Sequence, residues 1–168
     1  MAKITLKGNP VRTNGNLPPI GAKAPDFQLV DGDLKDRFLN DFKGKRKMIY
    51  IVPSLDTSTC SLSTKKFNEQ IKTHPEITVL LVSADLPFAQ KRACAQENIA
   101  NIITLSMMRS KEFAKAYGVL IEDGPLAGIC ARAVVVLDES DNVIYTELVP
   151  EIAQEPNYDK ALQLLLRL

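Results

Sequence analysis

An α/β layered domain with a mixed central sheet is what this 168-residue sequence predicts, on three observations. Short runs of strand length alternate with helix-patterned segments, which implies crossovers and parallel neighbours. The strongest of those runs are apolar at every position rather than every second one, the pattern of strands buried on both faces. The last two strand segments are separated only by the polar stretch Asp138–Asn142, too short for a crossover, so they pair antiparallel.

The elements justify themselves in chain order. Ile4-Thr5-Leu6 and Val11-Arg12-Thr13, around the turn signal Gly8-Asn9-Pro10, read as an N-terminal β-hairpin. Lys47 to Val52 is a buried strand ended by Pro53. From Thr59 or Cys60 to Thr73, Leu62, Phe67 and Ile71 recur at helical spacing, with Thr57, Ser58 and Thr59 as candidate N-caps and His74-Pro75 as the stop. His74, the single histidine, is expected as a solvated residue at that helix end. Thr78 to Ser83 is the second buried strand, Pro87 opens a helix over Phe88 to about Asn98, and a shorter strand covers Ile102 to Leu105. Ser110 is expected to cap a helix over Lys111 to Tyr117, which Gly118 stops. Ala133 to Leu137 is the third strong strand, Val143 to Val149 its returning partner, and Asp159 to Leu168 a closing helix. The economical arrangement of these parts is a thioredoxin-like fold, one domain over residues 1–168, carrying the N-terminal hairpin as an addition.

Composition narrows the function. Twenty-one Lys and Arg balance 20 Asp and Glu, for a net charge of +1, and no basic stripe stands out, which argues against nucleic acid as a partner. The run Lys43-Gly44-Lys45-Arg46-Lys47 reads as a solvated loop. No apolar run approaches the roughly 18 residues of a membrane span. The N-terminus has no signal-peptide pattern, and three cysteines make no disulfide framework, so a cytoplasmic location is expected. One histidine and no cysteine cluster make a zinc site implausible, so no metal is expected.

The chemistry concentrates in Pro53-Ser54-Leu55-Asp56-Thr57-Ser58-Thr59-Cys60, between a buried strand and a helix start. In open α/β sheets, ligands bind beyond the carboxyl ends of strands. A cysteine in the first turn of a helix has its thiolate favoured by the helix N-terminus, and the thiolate is the nucleophile. Thr57 sets a hydroxyl three residues before that sulfur, and Pro53 walls the loop with a rigid ring that carries no N–H. Taken alone, Cys60 has a competing structural reading, since cysteine is among the most buried residue types.

The pattern P-x-x-x-T-x-x-C resembles the peroxidatic motif of the peroxiredoxins. Further blocks, Thr64-Lys65-Lys66-Phe67-Asn68-Glu69, Ser83 to Arg92, Gly124 to Gly128 and Ala131 to Asp138, resemble the thiol peroxidase subfamily of the atypical two-cysteine type. The resemblance runs from the hairpin to the last helix, and it assigns roles by position. Cys60 matches the peroxidatic cysteine, with Pro53 and Thr57 beside it. Arg132 matches the active-site arginine and Cys94 the resolving cysteine. It implies a Cys60 sulfenic acid, a Cys60–Cys94 disulfide within one chain, thioredoxin as reductant, hydrogen peroxide and alkyl hydroperoxides as substrates, a homodimer, and no metal or organic cofactor. Ser58 departs from the subfamily pattern, which has a small or apolar residue there, and Cys130 stands where the pattern has an aliphatic one; Cys130 is expected as a buried small hydrophobe. Two functional classes stay open, a thiol-dependent peroxidase and a binding protein switched by oxidation of Cys60. A disulfide reductase is disfavoured because no C-x-x-C occurs.

Overall fold

The computed structural model describes residues 1–167, apart from the side chains of Ser58, Cys60 and Ser61. Among these, the elements run β1 (Lys3–Leu6), β2 (Asn9–Arg12), β3 (Gln28–Val30), β4 (Asp36–Phe38), β5 (Arg46–Ile51), α1 (Ser58–Ile71), β6 (Ile77–Ser83), α2 (Pro87–Gln96), β7 (Ile103–Ser106), α3 (Glu112–Ala116), β8 (Ala133–Leu137), β9 (Val143–Leu148) and α4 (Tyr158–Leu166). β1 and β2 pair as a separate two-stranded ribbon, and the main sheet has seven strands in the order β4-β3-β7-β6-β5-β8-β9. β5, β6 and β7 are parallel, and β8, β9, β3 and β4 join antiparallel, so the sheet is mixed as expected.

The continuous apolar runs lie at the centre of this sheet because both faces are covered. Along β5, Met48 and Tyr50 point into a core built with Phe67 and Ile71 of α1 and Ala161, Leu162 and Leu165 of α4, while Ile49 and Ile51 point into the opposite core with Phe113 and Ala114 of α3. The hairpin joins the second core through Ile4 and Val11. Its turn places Lys7 and Gly8 at φ of +50° and +82°, the left-handed pair that suits a two-residue hairpin loop.

Residues 26–45, to which the sequence pattern assigns no element, hold β3 and β4 and a 3-10 turn over Leu39–Phe42. Three-residue strands are too short for a period of two to register. Other differences are at element ends. α1 runs Ser58–Ile71 rather than from Thr59 or Cys60 to Thr73, and α2 starts at Pro87 and stops at Gln96. α4 starts at Tyr158 because the Asn157 side chain accepts from the Lys160 N–H as an N-cap; its expected end at Leu168 lies outside the described residues. The cap position of α3 is Lys111 rather than Ser110, although the Ser110 hydroxyl does accept from the Glu112 N–H at 3.1 Å. His74 closes α1 through its N–H to the Ile71 carbonyl and sets its ring 2.9 Å from the Glu76 carboxylate.

The basic run is a correction. Lys43 and Lys45 are exposed, but Arg46 and Lys47 belong to β5, and Lys47 is fully buried in an ion pair with Asp141. β5 pairs Lys47 with Leu137 at the end of β8, so the β8–β9 turn carries Asp141 over the ammonium. A buried charge that loses its partner typically destabilises a fold by about 3–5 kcal/mol. Asp141→Asn, which tolerates the left-handed backbone there (φ +64°), should therefore cost about 3 kcal/mol. The double variant with Lys47→Met should recover most of that loss; denaturant midpoints of the three proteins decide the matter.

Candidate active site

The carboxyl end of β5 is where the chemistry-bearing loop begins. Val52 still donates its N–H to the Val82 carbonyl (3.0 Å), and buried Pro53, with no N–H, ends the ladder. The chain then turns on Ser54, whose carbonyl accepts both the N–H and the hydroxyl of Thr57, at 3.4 and 3.2 Å. Leu55 anchors the turn in the α1-side core. Helix α1 opens at Ser58, so the backbone of Cys60 stands in its first turn, as the sequence pattern requires; the Cys60 side chain lies outside the described residues.

Arg132 reaches the same place by register. β8 runs antiparallel to β5 with Ile51 opposite Ala133, so the residue before β8 enters the sheet beside the exit of β5. Its guanidinium is 1% exposed, and it donates from Nε to the Ile152 carbonyl (3.0 Å) and from a terminal nitrogen to the Tyr50 hydroxyl (3.4 Å). The next carbonyl along, Ala153, accepts the Thr59 hydroxyl from the first turn of α1 (3.1 Å). This strap is itself clamped. The Glu151 carboxylate accepts from the Thr5 hydroxyl and from the N–H groups of Lys7, Gly8 and Ala153, which hold its pKa down at about 2.

A second anchor comes from β6. The Asp85 carboxylate accepts the Ser54 hydroxyl (2.7 Å), the Leu55 N–H (2.8 Å) and the Ser83 hydroxyl (2.8 Å). The Ser83 oxygen accepts from Gln90 of α2 (3.0 Å), and the Ser106 hydroxyl at the end of β7 donates to the Asp85 carbonyl (2.5 Å). Tyr50 and Asp85 are site residues that sequence reasoning did not single out. The signal for Asp85 was its place just past the carboxyl end of a second parallel strand; Tyr50 is visible only once β5 and β8 are paired.

Cys94 lies in the last turns of α2, half-buried against the core that α1 shares, and burial pushes its thiol pKa up. The structure thus brings Pro53, Thr57, the Cys60 backbone and Arg132 together at one sheet end and puts Cys94 on the neighbouring helix of the same face. A helix N-terminus and a permanent cation both favour an anion at this end, which suits a thiolate nucleophile. Among the described residues no helix is long and apolar enough to cross a membrane.

Comparison with known proteins places the chain in a family. The family model described as Redoxin matches residues 19–162. A curated thiol peroxidase of Leptospira interrogans is 52% identical over 164 residues, 96% of each chain. Among solved structures, a peroxiredoxin-like protein from Aquifex aeolicus aligns with a TM-score of 0.93 at 42% identity, covering 99% of this chain and 97% of that one. A thiol peroxidase from Chromobacterium violaceum aligns at 0.91 and 26% identity, with the same coverage.

Cys130 is the buried small hydrophobe expected of it. It is fully enclosed, 3.3 Å from the Met107 sulfur, and burial pushes its thiol from an ordinary value near 9 up to about 12. Between those values the unfolded chain has released a proton that the folded chain retains, so the thiol contributes a loss of stability as pH rises. The slope approaches about 1.4 kcal/mol per pH unit. The stability difference between Cys130→Ala and the parent, measured by denaturant unfolding, should therefore move in favour of the variant between pH 8 and pH 10.5.

Proposed function

Since this chain belongs to the redoxin family and is a thiol peroxidase of the peroxiredoxin type, we propose that Cys60 is its peroxidatic nucleophile and Cys94 its resolving thiol. The observation that carries this reading is the register of β5 and β8, which sets the buried cation of Arg132 beside the loop leading to Cys60.

The cycle has three steps. The Cys60 thiolate attacks the terminal oxygen of hydrogen peroxide or an alkyl hydroperoxide, and the O–O bond breaks. The departing oxygen takes a proton and leaves as water or alcohol, and the sulfur is left as a sulfenic acid. Arg132 stabilises the thiolate and the charge growing on the leaving oxygen, while the Thr57 hydroxyl and the Pro53 ring shape the pocket. The Cys94 sulfur then displaces water from the sulfenic acid, forming a Cys60–Cys94 disulfide within the chain. Thioredoxin, the dithiol that the family resemblance implies, returns both thiols by exchange. No step draws on a metal or an organic cofactor. The exposed apolar pair Leu86 and Phe88, next to Asp85, suits a homodimer packed close to this loop, and the reading places the enzyme in the cytoplasm.

Cys94 needs α2 to give way. A disulfide demands a narrow range of Cα and Cβ separations, which two intact helices do not supply by default. Of the two, α1 is deeply rooted by Ser63, Thr64, Phe67, Asn68 and Ile71, whereas the buried residues of α2 are Pro87 and Gln90. The helix with the shallower hold unwinds. Unwinding also brings the Cys94 thiol into water, where its raised pKa relaxes and it becomes a better nucleophile.

Cys60→Ser should abolish peroxide consumption; retained turnover would overturn the mechanism. Cys94→Ser should keep the first oxidation and lose the linked peptide, which mass spectrometry after one equivalent of peroxide and non-reducing digestion detects in the parent. Multiple turnover with a dithiol separates this enzyme from a binding protein that oxidation merely switches. Arg132→Lys keeps the charge but loses the fork and the fixed placement, and should slow thiolate oxidation by about a hundredfold, the usual scale for one misplaced electrostatic donor. An unchanged rate of that step by stopped flow would remove Arg132 from its role.

A further inference from the structure

The Asp85 carboxylate is where the two cysteine-bearing segments meet. One oxygen accepts the Ser54 hydroxyl, and the other accepts both the Leu55 N–H and the Ser83 hydroxyl. Ser54 passes this hold forward, because its hydroxyl oxygen accepts the Asp56 N–H (3.1 Å) and its carbonyl accepts Thr57 twice. Ser83 passes it the other way, to the Gln90 side chain, four residues before Cys94 on α2. Asp85 itself is fixed to the rigid sheet end by the Ser106 hydroxyl on its carbonyl. Gln90 is fully buried, and its side-chain oxygen has no hydrogen-bond partner among the described residues, so the α2 side of this network is incompletely satisfied.

We propose that Asp85 is a positioning residue, a latch that holds the Pro53–Thr57 loop closed for the oxidation of Cys60 and must release it before Cys94 can react. The proposal rests on the reading of Cys60 and Cys94 given above. Charge-assisted hydrogen bonds to two loop groups bias the loop toward its closed form. Attack on peroxide proceeds from the closed form, and disulfide closure proceeds from the open one. Each rate scales with the population of the form that is competent for it. Weakening the latch therefore moves the two steps in opposite directions, whereas a residue with a merely structural role moves them together.

The test is stopped-flow kinetics on the full chain, with thiolate oxidation by hydrogen peroxide and the subsequent disulfide closure resolved as separate phases. Asp85→Ala should shift the closed-to-open ratio about tenfold, the scale of one lost charge-assisted hydrogen bond, so that the slowing of oxidation and the speeding of disulfide closure multiply to about tenfold. Asp85→Asn keeps an acceptor for Leu55 and Ser83 and should fall between Ala and the parent. Unchanged rates, or both rates lowered in proportion, would overturn the latch. If Asp85→Ala does not fold, Ser54→Ala removes one loop-side hydrogen bond and should show the same opposed shifts at smaller size. Cys60→Ser is the control for the underlying reading. If it still consumes peroxide, that reading fails and takes the latch with it. If it is inert while Asp85→Ala behaves as the parent, the latch alone fails.

Discussion

Antiparallel insertion of β8 beside β5 is the constraint on which the site depends. Had β8 run parallel to its neighbour, its first residue would lie at the opposite end of the sheet, and no cation would stand beside the Pro53–Thr57 loop. Because it runs against β5, the exit of one strand and the entry of the other coincide. The loop places a helix N-terminus at that point, and the entry places Arg132. A guanidinium drawn so deep into the sheet end must have its donors met, and the Ile152 carbonyl and the Tyr50 hydroxyl do part of that work. Tyr50 is in turn held by its edge-on contact with the Phe67 ring of α1, at 5.0 Å between centroids. The cation is thus positioned from the strand, the strap and the helix that begins at the loop.

The molecule divides its rigidity unevenly. The three central strands are enclosed on both faces, and α1 and α4 root their own stripes in one core. α2 packs over the same core with few buried residues and one half-satisfied glutamine. In the proposed cycle, such a distribution keeps the sheet end that fixes Arg132 intact while the loop is released and the helix bearing Cys94 unwinds locally. A two-thiol cycle needs both behaviours in one small chain.

Much of this was legible in the residues, for reasons that differ from element to element. The strands at 47–52, 78–83 and 133–137 declare themselves because burial on both faces leaves no polar position to confuse the pattern. The loop from Pro53 to Cys60 is legible because it sets a cysteine at a helix N-terminus, which favours a thiolate, and because the blocks around it resemble one subfamily. Strands of three residues at 28–30 and 36–38 carry too little periodicity to be read. Lys47 reads in the sequence as part of a solvated run because spacing cannot show that Asp141, 94 residues away, comes to meet it. The roles of Tyr50 and Asp85 were hidden for the same reason. A side chain that acts by touching a distant segment leaves no local signature.

The clamp at Glu151 ties the amino terminus to the chemistry. Two successive carbonyls on that strap face Arg132 and Thr59, and the carboxylate that steadies the strap is gripped by the β1–β2 ribbon. The first dozen residues, remote from both cysteines in the chain, therefore act as a tensioning device for the reactive end of the sheet. A protease cut within the ribbon would loosen the strap beneath the guanidinium as well as the core that Ile4 and Val11 join.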